Sequence, residues 1–451
     1  MDISPTPLLT DLYQLNMMQA YLDHGMTGTA VFEFFIRRLP PNRGFLVAAG
    51  LEQALEYLEA IRFSEREVEW LAKSGRFRQN FLDYLSKFRF TGEVHAIAEG
   101  TVCFPNEPIV RVTAPLPEAQ LVETRLINLL HFQSMIASKA ARYMLLAPGK
   151  ELVDFGLRRA HGGEAGLLAA RASYIAGFAG TATVLAGELY GIPLYGTMAH
   201  SFIEAFDDEV RAFEAFARSR PDHLVLLIDT YDTEAAARKV VGLAKRLQSE
   251  GIKIKGVRLD SGDLIALSKS VRRIFDEGNV KDLTIFASGG IDEPELAAFQ
   301  KDAAPIDGFG IGTSLTTSYD RPALDCAYKL QEYNGVPRRK RSPGKLTWPG
   351  RKQVWRQFGA DGRMAGDVLS LENDAQTGEA LLKPVMREGR RIGNPPSLAE
   401  IRAHAALQLD RLPARLRQLD PKAAYRVTIS KSLHQLAEET DRRLARQVSL
   451  A

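Results

Sequence analysis

Apolar side chains recur at helical spacing near the start of the chain (Leu8, Leu12, Leu15, Met18, Leu22), which predicts an amphipathic helix over residues 8–24. Ala30-Val31-Phe32-Glu33-Phe34-Phe35-Ile36 alternates well enough for a strand, and helical patterns follow over residues 51–60 and 65–86. Residues 90–113 read as short strands, punctuated by Thr91-Gly92 and Phe104-Pro105-Asn106-Glu107-Pro108. This first region is mixed helix and strand.

The middle of the chain has a different rhythm. Short apolar runs at 151–155, 193–196, 224–228, 254–259, 283–287 and 308–311 each end in a polar or glycine-containing cluster, and a helical pattern follows each. Repeated strand–helix alternation predicts a parallel sheet with helices outside. Six such runs, with polar residues at their C-terminal ends, fit a closed α/β barrel better than an open sheet. No G-x-G-x-x-G follows the first run, which argues against a dinucleotide-binding sheet. The uncharged stretch 172–187 is rich in Gly, Ala and Thr and falls short of the ~20 residues needed to span a bilayer. It reads as a tightly packed buried helix.

After about Tyr328 the texture changes again. Gly335-Val336-Pro337, Ser342-Pro343-Gly344 and Trp348-Pro349-Gly350 are turns between short strand-like pieces, and residues 397–418 and 430–449 are helical and charged. The expected division is therefore 1–135, 136–328 and 329–451, with the last segment packing back on the first.

Composition narrows the classes of function. The chain has 451 residues, 45% hydrophobic and 25% charged, with a net charge of +3. So small a charge implies no general nucleic-acid or membrane surface. The basic cluster Arg338, Arg339, Lys340, Arg341 and Lys345 reads first as a solvated loop, and more sharply as a segment that helps hold phosphates. Two cysteines without a near partner or metal spacing predict no disulfide framework and suit a reducing cytoplasm. The opening Met1-Asp2-Ile3-Ser4-Pro5 lacks the basic and apolar regions of a signal peptide. No His/Cys/Asp cluster has the spacing of a structural zinc site.

In a barrel, functional side chains stand at the C-terminal ends of strands. The ends here read Asp154-Phe155-Gly156-Leu157-Arg158-Arg159, Gly196-Thr197-Met198-Ala199-His200-Ser201, Asp229-Thr230-Tyr231-Asp232, Arg258-Leu259-Asp260-Ser261-Gly262-Asp263, Ser288-Gly289-Gly290 and Gly310-Ile311-Gly312-Thr313-Ser314. Glycines let a backbone approach a ligand, and the next helix presents N–H groups and a partial positive end, a combination suited to phosphate. The plainer reading is that they only make tight turns. Two successive strand ends of this kind favour phosphate.

Arg258 with Asp260 and Asp263, and Asp229 with Asp232, suit either sugar and anion binding or a salt-bridge network on the rim. His200 is placed to act as general base or nucleophile, and attack on phosphorus would give a phosphohistidine. Phe155 could stack on a flat ring and Arg158 hold a carboxylate, against a core Phe and a rim ion pair. Ser201 lacks the partners of a hydrolase triad.

These motifs together resemble the nicotinate phosphoribosyltransferase family. The resemblance runs from Thr10-Asp11-Leu12-Tyr13-Gln14 to Lys352-Gln353-Val354-Trp355 through residues 34–51, 154–161, 196–202, 228–233, 256–263, 286–292 and 308–315, at least three-quarters of the chain. It implies a type II phosphoribosyltransferase fold: an irregular α/β barrel beside an α/β sandwich made from both chain ends. It implies that nicotinate and phosphoribosyl pyrophosphate give nicotinate mononucleotide and pyrophosphate, coupled to ATP hydrolysis.

Residue by residue, His200 matches the histidine that ATP phosphorylates. Phe155 matches a ring stacked on the pyridine, and Tyr13 one that covers it from a partner subunit, so a homodimer is implied. Thr197, Arg258 and Arg158 match residues around nicotinate, and Asp229 and Asp260 carboxylates near the ribose. Ser288, Gly289 and Gly290, with Gly310, Gly312 and Thr313, match the phosphate loops. Mg²⁺ is expected through the substrate pyrophosphate and not at a structural metal site. The related nicotinamide enzymes carry an aspartate after a Gly-Thr pair. Here Gly180-Thr181 is followed by Ala182, which favours the acid over the amide because a carboxylate there would repel nicotinate.

Rival readings are a nicotinamide or quinolinate phosphoribosyltransferase, a non-catalytic phosphate-ligand-binding barrel, and a barrel aldolase or decarboxylase. The last needs a Schiff-base lysine, and none stands at these strand ends.

Overall fold

The computed structural model describes residues 6–342, 344–421 and 423–449. Residues 1–5, read above for a leader, and Pro343 of the Ser342-Pro343-Gly344 turn lie outside the described residues. The chain forms two compact units, Met1–Ser138 with Ala323–Ala451, and Lys139–Pro322.

The first unit is built on a seven-stranded antiparallel sheet. Its order is Val336–Pro337, Asp325–Tyr333, Thr29–Arg38, Pro108–Pro115, Glu93–Ala96, Lys383–Arg387 and Arg390–Arg391. The interior strand Thr29–Arg38 does not alternate: residues 30–36 are all buried. Such a run belongs to a strand covered on both faces. A four-stranded sheet, Glu379–Ala380, Lys352–Phe358, Met364–Leu371 and Val427–Ile429, comes from the C-terminal segment, and its core of Val354, Leu369, Leu381, Leu382 and Leu433 includes Ile97 from the N-terminal one.

The first helix spans Leu12–Asp23 and buries Leu15 and Met18. Leu8 precedes it. The helical pattern over 65–86 is two helices, Glu65–Lys73 and Gln79–Ser86, because the chain turns at Ser74-Gly75.

The second unit carries a six-stranded parallel sheet in the order Gly180–Thr181, Glu151–Asp154, Gly308–Ile311, Thr284–Ser288, Gly256–Leu259 and Val225–Leu227. Helices Gly163–Ile175, Thr233–Ser249, Leu264–Glu277 and Glu293–Lys301 follow their strands. Two expectations change here. The stretch 172–187 is not one helix: a two-residue strand, Gly180–Thr181, separates Gly163–Ile175 from Val184–Tyr190. Its small residues serve close backbone approach, since a β-carbon on Gly180 would collide with the Pro193 carbonyl oxygen.

The run 193–196 adds only a single bridge, between Leu194 and Thr181. Among the described residues no backbone ladder joins this run to Val225–Leu227, so hydrogen-bonded strands do not close the ring. Side chains span that opening instead, as described below. No described helix is long and apolar enough to cross a membrane.

Candidate active site

The parallel sheet brings its C-terminal ends to one side, and the chemistry expected of them lies there in a connected set. Asp229, just past Val225–Leu227, accepts through Oδ2 from the backbone N–H of Asp260 at 2.9 Å and from Ser261 Oγ at 2.6 Å. Its Oδ1 is buried without a hydrogen-bond partner. Asp260, just past Gly256–Leu259, accepts through Oδ1 from the Ser288 hydroxyl. Its Oδ2 stands 3.8 Å from His200 Nε2. His200 opens the short helix His200–Glu204, and its Nδ1 lies 3.2 Å from Thr230 Oγ1.

Arg258 reaches across the opening in the sheet. Its Nη2 donates to the Met198 carbonyl at 3.0 Å, and its Nε is buried with no partner. Burial pushes its pKa down; Asp260 and Asp229 oppose that, while Arg158 adds to it by repulsion. Two arginine charges thus bear on one small region, and an anion would relieve both.

Phe155 follows Glu151–Asp154, with its N–H donating to Ile311 O at 2.9 Å. Its half-buried ring packs 5.9 Å from that of Phe286, tilted by 42°. Gly310 lies directly beneath: any β-carbon there would enter the Phe155 ring. Phe286 is the register partner of Arg258, so the ring platform and the arginine occupy neighbouring strands.

The remaining expected residues are placed as follows. Gly289 and Gly290 are exposed just past Ser288. Gly312 packs near the Phe155 carbonyl. Thr313 is exposed at the start of Thr313–Thr316, a single turn without a side-chain cap. Thr197 makes only a long local contact, with the Met198 carbonyl at 3.4 Å. Tyr13 belongs to the first unit, exposed on helix Leu12–Asp23.

Three acids are structural. Asp232 and Asp263, each an open question beside its neighbouring carboxylate, are helix N-caps accepting from Ala235 N and Ala266 N. Asp292 forms a capping box with Glu295 on Glu293–Lys301. The helix after Ser288-Gly289-Gly290 is therefore not the open anion site expected, because carboxylates already meet its end. Among the described residues no group of three or more His, Cys, Asp or Glu side chains could hold a metal ion.

Models of the nicotinate phosphoribosyltransferase N-terminal domain, family and C-terminal domain match residues 8–131, 150–341 and 374–437. A nicotinate phosphoribosyltransferase of Mycobacterium tuberculosis is 51% identical over 425 residues, covering 94% of this chain and 91% of that protein. The chain belongs to the nicotinate phosphoribosyltransferase family. A Bacillus subtilis nicotinate phosphoribosyltransferase is 40% identical over 376 residues, 81% of this chain and 76% of its own. The crystal structure of human nicotinic acid phosphoribosyltransferase superposes with a TM-score of 0.85 at 31% identity, covering 95% of this chain and 99% of that one. The mixed α/β fold with a parallel sheet is thus that of solved nicotinate phosphoribosyltransferases.

Within this member of the family, Asp154 is a site-supporting residue that sequence reading passed over, although it ends the first strand of the second unit. It is fully buried; Oδ1 accepts from Gly156 N at 2.9 Å and Oδ2 from Thr181 Oγ1 at 2.7 Å. It ties the turn under Phe155 to the Gly180–Thr181 edge. Burial raises its pKa from 3.8 to about 6, against the two hydrogen bonds.

The raised folded-state value means that its contribution is most favourable below the unfolded pKa and is lost as pH rises through the folded one. The loss amounts to roughly 3 kcal/mol at neutral pH. Asp154→Asn keeps the shape without the charge. The Tm of the variant minus that of the parent should climb between pH 4 and 6 and then level off. A pH-independent difference would contradict the assignment.

Proposed function

We propose that this member of the family joins nicotinate to phosphoribosyl pyrophosphate, releasing nicotinate mononucleotide and pyrophosphate, and that ATP drives the reaction by phosphorylating His200. The observation carrying this reading is the convergence of His200, Asp260, Asp229 and Arg258 with the Phe155 platform at the ends of neighbouring parallel strands.

Nicotinate stacks on Phe155, and its carboxylate faces Arg258 and Arg158, with Thr197 at the edge and the partner subunit's Tyr13 over the ring. Ala182, following Thr181 on its bond to Asp154, leaves no acid to repel that carboxylate. Ser288, Gly289 and Gly290, with Gly312 and Thr313, receive the phosphates at their turns through backbone N–H groups, while Gly310, buried in its strand beneath Phe155, serves the phosphate site only by making room for the ring. The orphaned Asp229 Oδ1 and Oδ2 of the half-buried Asp260 are hard oxygen donors suited to Mg²⁺ carried in with the pyrophosphate. When bound, the cation would neutralise charge on the leaving pyrophosphate.

The pyridine nitrogen attacks the anomeric carbon as pyrophosphate departs. No protein nucleophile is needed in that step, and holding ring and sugar in line supplies most of the rate gain.

The reading includes a homodimer. Val184, Leu185 and Leu189 of helix Val184–Tyr190, with Leu194 against Gly187, form an apolar patch at 50–71% exposure. A patch of that kind marks an interface. A cytoplasmic site of action agrees with the two free cysteines, Cys103 and Cys326.

The test is direct. Purified protein with nicotinate, phosphoribosyl pyrophosphate and Mg²⁺ should form nicotinate mononucleotide, faster with ATP, and should prefer nicotinate to nicotinamide and quinolinate. Binding of phosphoribosyl pyrophosphate with no mononucleotide formed would reduce the protein to a binding module.

A further inference from the structure

The segment that carries His200 has no ladder of its own. Backbone pairing ends at the Leu194 bridge, and residues 196–199 have no regular structure before the helix begins. Two side chains tie it to the neighbouring strand ends: Arg258, on the Met198 carbonyl, and Thr230, on the imidazole itself. Among the described residues only Thr230 touches the ring at hydrogen-bonding distance, since Asp260 Oδ2 stands 3.8 Å from Nε2. We infer that Thr230 is a positioning residue for His200, its hydroxyl oxygen accepting from Nδ1–H and so fixing the ring with the Nε2 lone pair free for the γ-phosphorus of ATP. The inference rests on the reading that ATP phosphorylates His200.

The tautomer follows from the neighbours. Nδ1 has a hydrogen-bond partner and Nε2 has none at that distance, so the proton sits on Nδ1, donated to Thr230 Oγ1, and the in-plane lone pair is on Nε2. In the transfer, the Nε2 lone pair forms the N–P bond while the bond from γ-phosphorus to the bridging oxygen breaks. Its electron pair leaves on ADP, and the Nδ1 proton stays in its hydrogen bond to the Thr230 hydroxyl oxygen. That oxygen, 3.2 Å from Nδ1, then accepts from a positively charged ring, a stronger bond that holds the phosphorylated imidazole in place. Thr230 is half-buried, so removing its hydroxyl leaves the fold's apolar core untouched.

Thr230→Val keeps the shape and deletes the hydroxyl; Thr230→Ser keeps the hydroxyl and deletes a methyl group. The probe is γ-labelled ATP with Mg²⁺, and the readouts are acid-labile, base-stable label on the protein and the ratio of ATP-driven to ATP-independent mononucleotide formation. Thr230→Val should lower both the labelling rate and that ratio by about tenfold or more, and Thr230→Ser should restore most of each. Labelling of Thr230→Val at the parent's rate, or equal losses in Val and Ser, would overturn the positioning role while leaving His200 phosphorylation intact. A parent protein that takes up no label would overturn the phosphohistidine reading and this inference with it.

Discussion

His200→Ala is expected to remove stimulation by ATP altogether, bringing the ratio of rates with and without ATP to about 1, while slow transfer from phosphoribosyl pyrophosphate persists. The reason is a division of labour visible in the geometry. The groups proposed to hold substrate are Phe155 over Gly310, Arg258, Asp229 and the glycine turns. None of them depends on the imidazole for its own placement, since Asp229 is fixed by Asp260 N–H and Ser261, and Asp260 by Ser288.

His200 is itself partly open to solvent, and among the described residues its polar partners are Thr230 and, more distantly, Asp260. Truncating it should therefore cost no more than roughly 1 kcal/mol of stability. What disappears is a phosphorylatable nitrogen. A phosphoryl group there would place about two negative charges and three acceptor oxygens beside Asp260 and the glycine turns, which can reorganise that rim around substrate. Steady-state rates with and without ATP on parent and variant decide the matter. Equal stimulation in both would mean that ATP acts elsewhere.

How much of this could be read from residues alone depends on how local the cause was. Most strands of the parallel sheet were legible because each apolar run is short, buried on both faces and ended by a polar or glycine cluster; Glu151–Asp154, Gly256–Leu259, Thr284–Ser288 and Gly308–Ile311 lie within one residue of the expected runs or inside them. The rim residues were legible for the same reason, since strand ends in a parallel sheet must gather. Gly180–Thr181 was not, because two residues of strand leave no periodicity, and the Ala-rich run around them is equally good helix.

Closure of the ring was overread. The 193–196 run has the composition of a strand but pairs through Leu194 alone, and Arg258 and Thr230 bridge what the backbone does not. Asp232 and Asp263 show a different limit: an acid after a strand is both a site candidate and the usual first residue before a helix. Only its hydrogen bonds to Ala235 and Ala266 tell the two apart. Asp154 was invisible as a functional support because its partners, Gly156 and Thr181, are brought together by a register no single sequence displays.

The turns proposed to hold phosphate yield the sharpest contrast between two adjacent glycines. Gly289 has φ of 95° and Gly290 of 69°, so alanine at either carries strain of about 1–2 kcal/mol. Their surroundings differ. A β-carbon on Gly290 would have no atom within 4 Å, whereas one on Gly289 would collide with the Asp260 carbonyl oxygen. That oxygen belongs to backbone, between the strand Gly256–Leu259 and the turn through Ser261, and cannot swing aside as a side chain does.

Gly289→Ala must therefore push the end of one strand from the other. It would break the Ser288 hydroxyl's bond to Asp260 and disturb the Asp260 N–H on Asp229. Displacement of ribose and phosphate groups by about 1 Å is enough to cost about 100-fold in rate. The expected outcome is a fall of that size or more in kcat/KM for phosphoribosyl pyrophosphate in Gly289→Ala. Gly290→Ala, losing only backbone ease, should stay within about tenfold of the parent. Thermal melts of both variants separate the shared strain from the collision. If the two variants lose activity equally, the close approach of Gly289 to Asp260 does not govern the site, and the coupling between the phosphate turn and the carboxylates would have to be sought through Ser288 alone.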